Sequence, residues 1–347
     1  MELDQTNIIY TKNDFHLGDN IFCCILFYNI KDYLEQNNIH IYHYCLPEHI
    51  DQVKDFSNSG NIFFLKLTET PVDKIVYNLW MGSTDWEYNI YNSNGDYYDV
   101  FLCQFFNQFL NKLNIPINLK HLIYEDTDLI VRHETINNLT NDKYKNIDIL
   151  IINGAPQSNQ LAYDVDEWNN IILQFNKKYN VVTTQKVDGV KCTRDDNLTA
   201  KDIAAISIYA KKIIAIDSGV SIGLYNKYTI DNVEVIYYVC DINRYNCKCS
   251  FPNFIHKNNI SDLLFLLNDS VTEPMTPYYD QTYNYILHQL SFFIREPTKW
   301  AGLSETGPLL CVFEMCKGVI VIITLLLLLY LCVYMRIFKK IKKYIHI

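Results

Sequence analysis

The chain has 347 residues, of which 49% are hydrophobic and 20% charged, and this globular composition excludes a disordered or collagen-like protein. The formal net charge is −9, and residues 336–347 hold five Lys and Arg with no acid, so the preceding chain is more acidic still. An acidic body does not concentrate phosphate backbones, and we therefore expect no nucleic-acid partner.

The first half of the chain alternates short apolar runs with helical segments. Strands are predicted at residues 8–11, 39–44, 61–67 and 74–79, and helices at 20–37, from Pro47 and at 99–113. Strands separated by helices favour a mostly parallel sheet with helices on both faces.

A second unit of the same kind begins near Lys145. Helical spacing of apolar residues from Trp168 to Tyr179 predicts one helix, and a capping box at Thr199 predicts another that runs to Ala210. The remaining predicted elements are strands at 147–152, 181–184, 212–216 and 233–240 and a short helix at 261–267. The predicted fold class is therefore α/β, with two tandem Rossmann-like domains, 1–143 and 144–275, and a cleft between them.

The C-terminal region has a different composition. Residues 276–317 are predicted to form an amphipathic helix and a tether. The uncharged run 318–335 spans about 27 Å as a helix, and with snorkelling of Arg336 it predicts a transmembrane helix at 318–338 and a basic tail at 339–347. The lipid bilayer is thus a predicted partner, through a single C-terminal anchor.

Two arguments predict opposite orientations of this anchor in the membrane. Insertion after synthesis leaves the large N-terminal part in the cytosol, whereas the basic residues after the helix favour a cytosolic tail and a translocated body. We expect a cytosolic body.

The first candidate site is His16-Leu17-Gly18-Asp19, between the first strand and the first long helix. In open α/β sheets, ligands bind beyond the carboxyl ends of the strands, so this turn is expected to face the cleft. Gly18 permits close backbone approach, and Asp19 offers a carboxylate at the helix N-terminus. An ordinary N-cap after a turn glycine has the same pattern.

The second candidate site is the strand-to-helix turn Asp217-Ser218-Gly219-Val220. Free backbone N–H groups at a helix N-terminus, beside a glycine and a hydroxyl, make an anion site suited to a diphosphate. Helix capping alone is the alternative interpretation.

Together, LGDN (17–20) after a strand and AAISIYAKKIIAIDSGVSIG (204–223) resemble the GT-B glycosyltransferases of the lipopolysaccharide heptosyltransferase type, glycosyltransferase family 9. The resemblance covers about residues 7–270. It implies that Asp19 is the general base for an acceptor hydroxyl, and that Asp217, Ser218, Gly219 and Val220 bind a nucleotide-sugar donor, with His16 and Gly18 in support. It also implies a site without a metal or a cofactor, and a glycan, lipid or protein acceptor.

The chain departs from this family at two positions. The family usually has a histidine where this chain has Ile222, and it often has a lysine in the loop after the second domain's first strand, where residues 154–164 contain no cation. Arg194 is the predicted substitute for the missing cation.

A separate group of thiols and an imidazole comprises Cys240, Cys247, Cys249 and His256. Their spacing fits no common zinc module, and 11 scattered cysteines favour free or structural thiols, with a zinc site as the alternative.

The leading hypothesis is a membrane-anchored glycosyltransferase, with inversion at the sugar if Asp19 is the base. One alternative is a catalytically inactive GT-B-like scaffold or binding protein at a membrane, which the missing cations favour. Another is a polysaccharide pyruvyl transferase-like enzyme, whose first turn also carries Gly-Asp. No G-x-G-x-x-G follows any predicted strand, which argues against a nicotinamide dehydrogenase.

Overall fold

The computed structural model describes residues 7–57, 59–93, 98–157, 161–241 and 249–267, all of which belong to one compact unit of the chain. The predicted amphipathic helix and tether (276–317), transmembrane helix (318–338) and basic tail (339–347) lie outside these residues. Within the described ranges, no helix is both long enough and apolar enough to span a bilayer.

The described residues form ten strands in two sheets. In chain order the strands are β1 Ile8–Asn13, β2 His40–Cys45, β3 Ile62–Lys66, β4 Val76–Asn78, β5 Ile149–Ile152, β6 Val181–Thr183, β7 Lys191–Cys192, β8 Lys212–Ile216, β9 Val235–Val239 and β10 Phe254–Lys257.

The same residues form seven α-helices. They are α1 Leu17–Gln36, α2 Ile50–Asp55, α3 Tyr98–Lys112, α4 Asp128–Leu139, α5 Val165–Asn176, α6 Ala200–Ser207 and α7 Lys227–Asn232. Short 3-10 helices include Thr193–Asp196, Gly219–Leu224 and Ile260–Leu267.

Both sheets follow the same strand order. The first sheet runs β3-β2-β1-β4 and the second runs β7-β6-β5-β8-β9-β10, and the paired strands in both are parallel. In each sheet the strand order reverses direction next to the first strand in the chain. The reversal lies between β1 and β4 in the first sheet and between β5 and β8 in the second. Ligands of open α/β sheets bind at such reversals, beyond the carboxyl ends of the strands. The predicted α/β class with parallel sheets is confirmed.

Local sequence explains most of these elements. All four residues of β5 are buried, as expected of a central parallel strand covered on both faces. At α6, the predicted capping box is present: the Asp202 N–H donates to Thr199 Oγ1 at 3.2 Å, and the Thr199 N–H donates to Asp202 Oδ2 at 2.8 Å.

Several predicted bounds are wrong, and four strands or α-helices were not predicted. The first long helix begins at Leu17, so Gly18 and Asp19 lie in its first turn, and the helix from Ala200 ends at Ser207. The segment at 261–267 is part of a 3-10 helix. The strands and α-helices that sequence reasoning missed are α4, α7, β7 and β10.

The two sheets lie on either side of the predicted domain boundary at residues 143 and 144. One hydrophobic core continues across that boundary, from Phe22 of α1 to Ile206 of α6 and Tyr225. The division into two domains stays a prediction.

Two glycines allow the first turn of α1 to lie directly against the turn after β8. A Cβ added to Gly18 would lie 3.1 Å from Gly219 Cα, and one added to Gly219 would lie 3.0 Å from the Gly18 nitrogen. A side chain at either position would therefore displace the opposing backbone. This contact positions the two candidate turns beside each other.

Away from these two turns, polar contacts also join helices on the two sides of the predicted domain boundary. Arg132 of α4 forms ion pairs with Asp55 of α2 at 2.7 Å and with Asp202 of α6 at 2.8 Å. The Thr199 hydroxyl donates to Asp55 Oδ2 at 3.2 Å. One guanidinium thus links α2, which lies between β2 and β3, to α6, which lies between β7 and β8.

Lys201 of α6 is a fully buried cation. Its Nζ lies 2.9 Å from Asp126 Oδ2 and 3.3 Å from Asp128 Oδ2, and the Asp126 side chain is itself buried. Removing one partner of a buried ion pair leaves the other charge desolvated without compensation.

Gly219→Ala is expected to destabilise the fold by about 1–3 kcal/mol, because the new methyl group overlaps the Gly18 backbone. Gly60→Ala is the matched control, since a Cβ at that position meets nothing within 4 Å. Urea unfolding of the full chain measures both variants. Equal stability of the two variants would contradict the close contact.

Lys201→Met is expected to lower the free energy of unfolding by about 3 kcal/mol or more, because Asp126 stays buried without its cation. Lys211→Met is the control: it removes a mostly exposed ion pair with Asp148 and should change stability little. Thermal and urea unfolding of the full chain compare the two, and a loss no larger than that of the control would rule out the buried pair.

Candidate active site

A cavity of about 420 Å³ lies where the two candidate turns meet. Gly18 and Asp19 line it from the first turn of α1 and His16 from the residue just before that helix, and the turn after β8 supplies Asp217, Ser218, Gly219 and Val220. Residues 152–157 at the end of β5 form a further wall. The cavity therefore lies beyond the carboxyl ends of β5 and β8, at the reversal of strand order in the second sheet. Sequence reasoning predicted this convergence.

The Asp19 carboxyl is partly open to the cavity and otherwise surrounded by protein. Its pKa is raised to about 7, chiefly by burial and in part by the nearby Asp217 charge, while backbone hydrogen bonds from Asp19 and His16 oppose the shift. A carboxyl with a pKa near neutrality is well suited to act as a general base at physiological pH.

Asp217 is held by a residue that sequence reasoning missed. The buried Tyr238 of β9 donates its phenolic O–H to Asp217 Oδ1 at 2.7 Å, and its oxygen lies 3.2 Å from Ser221 Oγ. A tyrosine in a fully buried strand needs a partner for its hydroxyl, which is the only sequence signal for this role. Tyr238 fixes the orientation of the Asp217 carboxylate.

Ser218 closes a tight turn with Ser221. The Ser218 N–H donates to Ser221 Oγ at 3.0 Å, and the Ser221 hydroxyl donates to the Ser218 carbonyl at 2.7 Å. The helix that follows is a 3-10 helix of six residues. The backbone N–H and carbonyl of Ser218 are therefore engaged by Ser221, and the role of this turn in donor binding stays a prediction.

Arg194 lies in the 3-10 helix after β7 and lines the same cavity as Asp19 and Asp217. It thus faces residues 154–157, which belong to the loop that lacks a cation of its own. Ile222 also lines the cavity, so the position without the family's histidine is an apolar part of its wall.

Two imidazoles lie on the side of the cavity formed by the first sheet. His16 packs its ring against Phe15 with the centroids 4.0 Å apart, and His49 follows β2. Burial lowers the pKa of both imidazoles, so both are mainly uncharged at neutral pH. They add polar surface near Asp19 without adding positive charge.

The predicted alternative metal group is only partly within the described residues, because Cys247 lies outside them. Cys240 Sγ lies 4.0 Å from His256 Nδ1, and His256 Nε2 accepts the Cys249 backbone N–H at 2.9 Å. In the described ranges, no three His, Cys, Asp or Glu residues are grouped to hold a metal. The His256 nitrogen that accepts from Cys249 supports a structural role.

No protein-family model and no curated protein matches the chain. Among solved structures, the chain is similar to a family 9 glycosyltransferase from Veillonella parvula, with a TM-score of 0.47 and 11% identity, covering 78% of this chain and 93% of that one. It is also similar to the glycosyltransferase TibC from enterotoxigenic E. coli (TM-score 0.44, 10% identity, 74% of this chain and 64% of that one). A third similar structure is the E. coli heptosyltransferase WaaC with ADP (TM-score 0.42, 9% identity, 67% and 86%).

Proposed function

We propose that this protein is a membrane-anchored glycosyltransferase that transfers a sugar from a nucleotide-sugar donor to a hydroxyl group of a glycan, lipid or protein acceptor. One observation carries the proposal: a carboxyl with a pKa near 7 lies in one cavity with the turn after β8, at a reversal of strand order.

Asp19 is the proposed general base. Its carboxylate takes the proton of the acceptor hydroxyl while that oxygen attacks the anomeric carbon of the donor. The bond from the anomeric carbon to the diphosphate oxygen breaks, and the nucleoside diphosphate leaves with the bonding electrons. Attack opposite the leaving group inverts the configuration at that carbon.

The donor is proposed to lie on the second sheet, against the turn at Asp217 to Val220. Asp217, oriented by Tyr238, is an acceptor for donor hydroxyl groups. Arg194 is the cation that this cavity provides for the leaving diphosphate. A guanidinium and backbone dipoles stabilise that charge without a metal, so we propose a metal-independent reaction.

The membrane part of the proposal rests on the uncharged run at 318–335 and the basic residues that follow it. An anchored enzyme meets acceptors that lie on or near the bilayer, and a lipid-linked or membrane-protein acceptor fits this arrangement. We propose that the catalytic body lies on the cytosolic side.

Asp19→Asn is expected to lower transfer about 10²–10⁴-fold, because the amide cannot accept the acceptor proton. The measurement is release of nucleoside diphosphate by the full chain from a panel of nucleotide sugars. Asp14→Asn is the matched control, since Asp14 is an exposed carboxylate five residues away and outside the cavity. Unchanged turnover in the Asp19 variant would exclude it as the base.

The rate of transfer is expected to rise with pH through about 7, as Asp19 loses its proton. The raised pKa of Asp19 also makes the stability of the fold depend on pH. Its folded pKa lies above its ordinary value of 3.8, so the folded state binds more protons, and the stability contributed by Asp19 falls as pH rises from about 4 to 7. Asp19→Asn should remove this fall in pH-dependent unfolding, and an unchanged profile would contradict the assigned pKa.

A further inference from the structure

A second cavity of about 350 Å³ adjoins the active-site cavity. The two cavities share Asn153, Gly154, Ala155, Gln185 and Arg194 in their linings. A ligand in the active-site cavity can therefore extend past the ends of β5 and β6 without leaving the protein surface.

The charges of the two cavities differ in sign. Asp19, Glu48 and Asp217 line the active-site cavity, whereas the second cavity contains Lys186 and Arg194 and is lined by no acidic side chain. Within the described ranges, neither cation forms an ion pair. Their positive charge is thus directed to a ligand or to water.

The wall between the cavities is fixed by hydrogen bonds. The Asn153 side-chain oxygen accepts the N–H groups of Thr184 and Gln185 at 3.1 and 2.8 Å, and the Asn153 N–H donates to Thr184 Oγ1 at 3.1 Å. Gly154 has a φ of +128°, which favours glycine, and a Cβ there would lie 2.9 Å from Gln185 Cγ. The loop that carries Lys186 is therefore tied to the end of β5.

We infer that Lys186 and Arg194 form a binding site for the phosphate groups of the ligand, so that the donor diphosphate lies across the boundary between the two cavities. Arg194 is shared by both cavities and binds the phosphate nearer to the sugar, and Lys186 binds the other. This inference rests on the proposed function for the identity of the ligand, but the anion site itself does not. It adds the segments after β6 and β7 to the turn at Asp217 to Val220 as parts of the donor site.

Binding of inorganic pyrophosphate to the full chain, measured by isothermal titration calorimetry, tests the inference. Lys186→Ala and Arg194→Ala are each expected to weaken binding at least tenfold, and Arg194→Lys to restore part of it because the charge returns. Lys177→Ala is the matched control, since it removes one exposed lysine outside both cavities and should bind like the unmodified chain. Urea unfolding of each variant shows that the fold is retained.

Absence of pyrophosphate binding by the unmodified chain, or equal binding by all four variants, would overturn the inference. Failure of the proposed function gives a different result: pyrophosphate binding that needs both cations, together with no turnover of any nucleotide sugar. If the Lys186→Ala and Arg194→Ala variants turn over the donor with an unchanged KM, the proposed transferase activity stands and the proposed anion site is ruled out.

Discussion

The contact between the backbones of Gly18 and Gly219 is the constraint on which the rest of the site depends. Because neither residue has a side chain, the first turn of α1 lies against the turn after β8. Asp19 and Asp217 then share one cavity, and protein atoms replace water around the Asp19 carboxyl. The raised pKa of that carboxyl is a consequence of this packing, so the proposed chemistry depends on two residues that have no side chain.

Such a contact needs support, because two backbones held together gain little apolar burial. The support comes from Arg132, which links α2 to α6, and from the buried Lys201 with Asp126. Buried ion pairs add little net stability, since desolvation offsets the attraction, but they strongly disfavour any arrangement that separates the partners. The buried Lys201–Asp126 pair therefore favours this arrangement over alternatives more than it adds to the free energy of unfolding, and the hydrophobic core that continues across the same boundary holds the two parts together.

The sequence predicts the parts of this structure that depend on local periodicity. Apolar runs located most strands, and the Thr199 capping box and the apolar face of α5 were correct in detail. It did not predict α4, whose buried face mixes Leu129 and Ile136 with His133 and Asn137 and so lacks a clear apolar repeat. Nor did it identify Tyr238, because a buried tyrosine on a central strand is ordinary core until its hydroxyl partner is known.

The positions of Lys186 and Arg194 show that the charge around a loop does not depend on the residues of that loop alone. The segment 154–164 contains no Lys or Arg, and by sequence alone this favours an inactive relative. In a parallel sheet, however, the carboxyl ends of all strands meet at one edge, so segments far apart in the chain line the same crevice. Arg194 after β7 and Lys186 after β6 reach the space beside residues 154–155 from neighbouring strands. In the proposed reaction, the positive charge near the diphosphate would therefore come from this edge of the sheet, so a loop without a cation does not leave the cavities without positive charge.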